Sequence, residues 1–178
     1  MTAQTRADLA EVAGVAPIRD AATAGFVFNH TMLRVRDPHA SLDFYTRVLG
    51  FSLARKVDFE QAKFSLYFLV LAELDDMPDG DEARREWLAR QRGVLELTHN
   101  HGTEAQVGPV YHDGNSEPRG FGHICVSVPD VRAACARMEA MGVPFQKTLS
   151  QGSMRSIAFI KDPDGYWIEL IQPTPLAD

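Results

Sequence analysis

The chain contains its own copy. Residues 28–35 read FNHTMLRV and residues 121–128 read FGHICVSV, so two runs open with the same Phe-x-His and then alternate like strands. Each copy is followed by the same succession: a segment with helical spacing (37–49 and 130–141), a glycine (Gly50 and Gly142), and strand-like runs. Each ends on an apolar strand that holds a carboxylate, Glu96 in VLELTHN and Glu169 in WIELIQP. His30 and Glu96 are 66 positions apart and His123 and Glu169 are 46, so the first copy is longer by 20 residues. The acidic, turn-rich piece 72–92 has no counterpart in the second copy and accounts for that excess. Self-similarity at this scale fixes architecture more firmly than local propensity does: the chain is a duplicated module with one His and one Glu per copy.

A chain of 178 residues with 45% hydrophobic content suits one compact domain, or two small modules sharing one core. No stretch approaches the roughly 20 apolar residues that span a bilayer, and MTAQTRADLAEVAG lacks the apolar centre of a signal peptide. A cytoplasmic protein without membrane partners is expected. The net charge of −6 argues against nucleic-acid binding, which needs a basic face. Cys125 on a strand and Cys135 on a helix have no metal-ligand spacing and read as reduced, buried thiols.

The chain divides into an arm (1–25), a first module (26–105) carrying the 72–92 insertion, a linker loop (106–118), a second module (119–173) and a tail (174–178). In the first module His30, Met32 and Arg34 alternate with Thr31, Leu33 and Val35. Asp37 is placed to cap a helix with Pro38 at its first position, and Leu42, Tyr45, Val48 and Leu49 form its apolar stripe. Strands are predicted over 51–53 and 63–71 by aromatic and aliphatic content. The insertion predicts a turn cluster, DDMPDGDE, and a short charged helix, ARREWLARQR, with Trp87 and Leu88 inward. Val94, Glu96, Thr98 and Asn100 then share one strand face.

In the second module His123 shares a face with Phe121 and Cys125, and Val131, Ala134, Cys135, Met138 and Met141 form a helical stripe. A strand is predicted over 154–160, a tight turn at DPDG (162–165), and a strand in which Trp167, Glu169 and Ile171 alternate with Ile168 and Leu170. The fold class is α+β: two βαβββ modules, each a curved sheet with one helix on its outer face, the sheets together forming a concave metal site.

Imidazole with carboxylate suits zinc, nickel, iron or manganese, and a carboxylate on an apolar strand needs a partner to offset its desolvation. A lone strand His or Glu is ordinarily solvated or hydrogen-bonded. Here the pair recurs at matched positions of a repeat, where related concave sheets could bring His30, Glu96, His123 and Glu169 into one octahedral-type site. Such a site polarises an oxygen that becomes anionic, and one carboxylate can act as general base. Proton abstraction beside a carbonyl fits, and hydrolysis remains open on these residues. Arg34 and Asn100 lie four residues beyond His30 and Glu96, and Arg119 lies four before His123; basic groups near a metal in an acidic protein suggest an anionic substrate.

The strings TMLRVRDPHASLDFYTRVLGF, KFSLYFL, LELTHN, YHDGNSEPRGFGHI and AFIKDPDGYWIEL cover nearly all of 28–173. With them the chain closely resembles the glyoxalase I (lactoylglutathione lyase) family of the vicinal oxygen chelate superfamily. The resemblance implies isomerisation of the glutathione–methylglyoxal hemithioacetal to S-D-lactoylglutathione through an enediolate, for methylglyoxal detoxification. It also implies a homodimer whose active sites lie between subunits, with one module from each. By motif, Glu96, His123 and Glu169 match metal ligands, position 30 is Gln in some relatives and His in others, and Glu169 matches the base, with Glu96 its counterpart in catalysis. Arg34, Asn100 and Arg119 match residues that bind the glutathione carboxylates, and Lys147 a further contact. Phe59, Phe64, Leu66 and Met154 resemble the apolar pocket, while Ser153 stands where some relatives have a basic residue. The arm and the insertion resemble the long form of the family, associated with zinc; nickel, associated with short forms that often carry His at the first ligand position, is the alternative. An iron-dependent ring-cleaving dioxygenase with a two-His, one-carboxylate site, or a non-catalytic binding protein of the superfamily, is the competing reading.

Overall fold

Two aspartates start the helices that organise the fold. Asp37 accepts the His39 N–H at 2.9 Å, with Pro38 in the first helical position, and Asp130 accepts those of Arg132 and Ala133 at 2.8 and 3.0 Å. These carboxylates satisfy N–H groups that a helix start leaves without partners. The computed structural model describes residues 4–174 except residue 17; the ends of the expected arm and tail (1–3 and 175–178) lie outside the described residues.

In chain order the elements are α1 (Arg6–Ala10), β1 (His30–Val35), α2 (Pro38–Asp43) running on into a π-helical turn (Phe44–Val48), β2 (Ser52–Phe59), β3 (Phe64–Val70), α3 (Asp81–Arg90) and β4 (Val94–Asn100). The second half follows with β5 (His123–Ser127), α4 (Val131–Ala140), β6 (Phe145–Lys147), β7 (Ala158–Lys161) and β8 (Trp167–Ile171). They build two four-stranded sheets of the same topology, β1-β4-β3-β2 and β5-β8-β7-β6. The β1/β4 and β5/β8 pairs are parallel and the others antiparallel. This is the α+β, twice-βαβββ arrangement that the repeat predicts, with the sheets separate rather than closed.

Two strands differ from expectation. β2 runs to Phe59 rather than ending near Leu53: its charges are paired, Arg55 through two 2.8 Å contacts to Asp81 and Lys56 with Asp58 at 3.0 Å. The strand expected over 154–160 begins only at Ala158. Residues 154–157 belong to a loop gathered by the Lys147 ammonium, which donates to the carbonyls of Thr148, Met154 and Ile157 at 3.3, 2.7 and 2.7 Å. In the insertion, α3 packs as predicted, with Leu88 buried against Ala54, Val70 and Val94 and Trp87 partly buried beside them.

One core serves both modules. Leu33, Val35, Tyr45, Leu69 and Leu97 from the first join Val131, Met138, Ile160, Ile168 and Leu170 from the second in a single buried cluster. Polar ties cross the seam. The Tyr45 hydroxyl donates to Asp162 at 2.9 Å, the Arg36 N–H to Asp164 at 3.0 Å, and the Arg137 guanidinium to the carbonyls of Val48 and Arg47 at 2.6 and 2.8 Å. The consequence for function lies in what this core leaves open. Leu33, Val35 and Val126 turn inward, so the opposite faces of β1 and β5, bearing His30, Met32, Arg34, His123 and Cys125, stay uncovered.

Candidate active site

On the uncovered face of the first sheet, register decides what meets what. Met32 of β1 lies across from Glu96 of β4, and Phe68 of β3 lies on the other side of Glu96. His30, one row earlier, reaches back so that its Nε2 stands 3.2 Å from a Glu96 carboxylate oxygen, with its ring edge-on to Phe68 at 6.2 Å. The second sheet repeats the construction. Cys125 and Phe159 flank Glu169, His123 Nε2 lies 3.2 Å from the Glu169 carboxylate, and the His123 ring is edge-on to Phe159 at 5.2 Å. In both halves the imidazole is open, at 43% and 40% exposure, and the carboxylate recessed, at 12% and 19%. Each recessed carboxylate with its neighbouring imidazole offers two donors that could hold part of a divalent cation's coordination shell.

The four expected ligands therefore stand as two pairs. Among the described residues no three His, Cys, Asp or Glu side chains come together closely enough to hold a metal ion. Each pair lies on the face opposite the shared core, and that core joins the sheets through their helix-covered sides.

Farther along the first sheet, Arg34 shares a row with Thr98 and Leu66, and Asn100 shares one with Phe64 and Phe59. Arg34 thus lies two residues of strand, about 7 Å, beyond the row of Glu96, and Asn100 four residues, about 13 Å, beyond it. Arg34 lines a pocket of ≈ 330 Å³ with Tyr111, His112, Phe121 and Tyr166, and Asn100 donates its amide to the Tyr111 hydroxyl at 2.9 Å. Phe59 and Phe64 stack at 4.6 Å with 22° between ring planes, forming with Leu66 an apolar wall on that face. Arg119 is exposed and paired with Glu117 at 2.8 Å. Met154 is 57% exposed, and Lys147 is occupied by loop carbonyls. Burial pushes the neighbouring Tyr166 hydroxyl up to about 12, with Asp164 and Asp162 adding to the effect.

The model of the Glyoxalase/Bleomycin resistance protein/Dioxygenase superfamily matches residues 27–170, both modules together. The chain belongs to this superfamily. Within it, a lactoylglutathione lyase of Pseudomonas putida is 65% identical over 169 residues, covering 95% of this chain and 98% of the relative. One of Pseudomonas aeruginosa is 54% identical over 159 residues, covering 89% of each chain. The glyoxalase I of Saccharomyces cerevisiae is 50% identical over 146 residues, covering 82% of this chain but 44% of the relative. A chain solved in work comparing the trypanothione-dependent Leishmania major glyoxalase I with the human enzyme superposes with TM-score 0.62 at 33% identity, covering 83% of this chain and 86% of that one.

Cys125, Phe68 and Phe159 also stand on the site faces. Cys125 is not the buried thiol expected of it: it stands exposed on the site face, the counterpart of Met32, against Glu169. Desolvation by its surroundings, and then the Glu169 charge, push its thiol up to about 11. The alternation that joined His123 to Cys125 was the available signal. Phe68 and Phe159, one behind each His–Glu pair, carried no signal beyond ordinary strand content.

Proposed function

We propose that this chain is a lactoylglutathione lyase, isomerising the hemithioacetal of glutathione and methylglyoxal to S-D-lactoylglutathione as a metal-dependent homodimer. The observation that carries the reading is the doubled half-site: a His–Glu pair on the open face of each sheet, in a chain 65% identical to a lactoylglutathione lyase over almost its whole length. Each half supplies two of four ligands. The first half of one protomer facing the second half of its partner completes a set of two imidazoles and two carboxylates. Exposed apolar residues beside the second half-site, Phe28 at 80% and Phe121 at 41%, are suited to such a contact. The yeast relative, of which this chain covers 44%, has room for a second unit of this size.

The donor set of two imidazoles and two carboxylates fits a divalent transition ion. His30, Glu96, His123 and Glu169 would hold it, with zinc proposed and nickel the alternative. When bound, the ion supplies Lewis-acid polarisation of the substrate oxygens, stabilising the negative charge that builds there.

The rest of the reaction falls to the chain's own groups. Glu169 takes the proton from the carbon bearing the hemithioacetal hydroxyl, and the electron pair moves into an enediolate. Return of a proton to the neighbouring carbon gives the thioester, so substrate and product are isomers and no redox partner is needed. Glu96 is the second carboxylate at the reacting carbons. Arg34, Asn100 and Arg119 bind the glutathione carboxylates, Arg34 about 7 Å and Asn100 about 13 Å along the sheet from Glu96. Phe59, Phe64, Leu66 and Met154 wall off the reacting end from water, and Lys147 contributes through the loop it holds. A cytoplasmic location accompanies this reading: both cysteines are free thiols, and among the described residues no helix is long and apolar enough to cross a membrane.

Metal-stripped protein reloaded separately with zinc or nickel, then given methylglyoxal and glutathione, tests the activity and the metal. At saturating metal, Glu169→Gln is expected to lower kcat by about 10²–10⁴-fold with the fold retained; activity near wild type would remove the base assignment. The dimer has its own test. Glu96→Ala and Glu169→Ala proteins, each inactive, are refolded together in equal amounts. Heterodimers then carry one intact site in two, restoring about a quarter of wild-type activity; no restoration would place the site within one chain.

A further inference from the structure

The histidine of the first half-site is held from behind, and that of the second is not. His30 Nδ1 lies 2.8 Å from the Asn29 side-chain oxygen. The Asn29 amide nitrogen in turn donates to the carbonyls of Leu88 and Gln91, at 2.9 and 3.0 Å, where α3 ends. This contact with two carbonyls settles which way the amide points, since the reverse orientation would set oxygen against oxygen. The Asn29 oxygen therefore faces Nδ1 as an acceptor, which favours the tautomer with its proton on Nδ1 and the lone pair a metal ligand needs on Nε2. Nε2 is the atom that faces Glu96 at 3.2 Å.

The far end of this chain of contacts is well fixed. Leu88 is buried against Ala54, Val70 and Val94, the Asp81 carboxylate is gripped by Arg55 through two 2.8 Å contacts, and the Val94 N–H donates to the Asn29 carbonyl at 3.0 Å. The repeat supplies an internal control. Glycine, Gly122, occupies the place of Asn29, the second half has no counterpart of 72–92, and no hydrogen bond to His123 Nδ1 is formed among the described residues. The anchor occurs in the module that has the insertion.

We propose that the 72–92 insertion is a positioning device for the first metal ligand, with Asn29 as the link that sets the tautomer and ring orientation of His30. The proposal rests on the reading of His30 as a ligand. Asn29 touches neither metal nor substrate and acts through His30. Outer partners of metal-bound histidines characteristically contribute about 10–100-fold in affinity.

Three variants, Asn29→Ala, Asn29→Asp and His30→Ala, are compared with wild type by zinc dissociation constant from chelator competition and by thermal midpoint. Imidazole ¹⁵N NMR of the zinc-free protein at about pH 8.5, where imidazoles are neutral, adds the tautomer of His30. Asn29→Ala is expected to weaken zinc binding by about tenfold or more and to convert His30 from the Nδ1-protonated form to a mixture. Asn29→Asp keeps an acceptor for Nδ1 but sets its other oxygen against the Leu88 and Gln91 carbonyls, so it is expected to keep the tautomer while zinc binding stays weakened by about tenfold or more; full recovery of zinc affinity would overturn the part assigned to the insertion. A lower thermal midpoint in Asn29→Ala with unchanged zinc affinity and tautomer would reduce Asn29 to a structural tie and overturn the proposal. Unchanged zinc affinity in His30→Ala would instead overturn the ligand reading beneath it.

Discussion

Replacing Tyr45 with Phe removes one oxygen from the seam between the modules, and its cost should depend on pH in a defined direction. Tyr45 is fully buried, and its hydroxyl donates to one oxygen of Asp162 at 2.9 Å. The other oxygen receives the N–H groups of Asp164 and Tyr166 at 3.0 and 2.9 Å. Asp162 is 4% exposed, and burial raises its carboxyl from 3.8 to about 6, the Tyr45 hydroxyl pulling against that rise and the Asp164 charge adding to it. A folded value above the unfolded one means that the native state holds the proton more tightly. The stability linked to Asp162 is thus fully present below about pH 4 and is lost as pH rises through 6. At about 1.4 kcal/mol per pH unit, the rise corresponds to roughly 3 kcal/mol.

Without the Tyr45 hydroxyl, the ionised carboxylate loses a hydrogen bond to a charged group, about 1.5–3 kcal/mol, whereas the protonated carboxyl loses a neutral one, about 1 kcal/mol. The destabilisation by Tyr45→Phe should therefore be about 0.5–2 kcal/mol greater at pH 8 than at pH 5. Urea unfolding of metal-free wild type and variant, at both pH values and one protein concentration, reads this as a double difference in which the other titrating groups cancel. Asp162→Asn should flatten the wild-type fall between pH 4 and 7. An equal cost at both pH values, or a greater one at pH 5, would refute the assignment of a buried, titrating Asp162 to this contact.

Two further outcomes follow from the site face. In the proposed site Arg34 grips a substrate carboxylate from the row beyond Glu96, so Arg34→Ala should raise KM for the hemithioacetal by about tenfold or more while kcat changes by no more than a few-fold; steady-state kinetics showing the reverse split would move Arg34 to the chemical step. Lys147→Ala leaves the carbonyls of Thr148, Met154 and Ile157 without their shared donor. Amide hydrogen exchange should accelerate across 148–157 and stay unchanged in β7, and unaltered exchange in the loop would show that other contacts hold it.

The duplicated module, its helix caps and the pairing of each His with its Glu were legible because they rest on local grammar that the chain states twice. What escaped depends on distant partners. Residues 54–59 look too charged for a strand until Arg55 meets Asp81 of the insertion and Lys56 meets Asp58. Residues 154–157 look like a strand until one ammonium from Lys147 gathers their carbonyls. Alternation placed Cys125 beside His123, yet not whether that face is covered, which is decided by where the helices pack. They pack between the sheets, on the side of Leu33 and Val126, so the face bearing His30 and Glu96 and the face bearing His123 and Glu169 have no internal cover. An arrangement in which one chain closed its own site would have to take Tyr45 away from Asp162 and Arg137 away from the Val48 carbonyl, and divide a core that both modules share. In the proposed homodimer a second protomer would complete the ligand set without disturbing any of these contacts, which is the physical argument for the proposal that each half of the repeat serves a different active site.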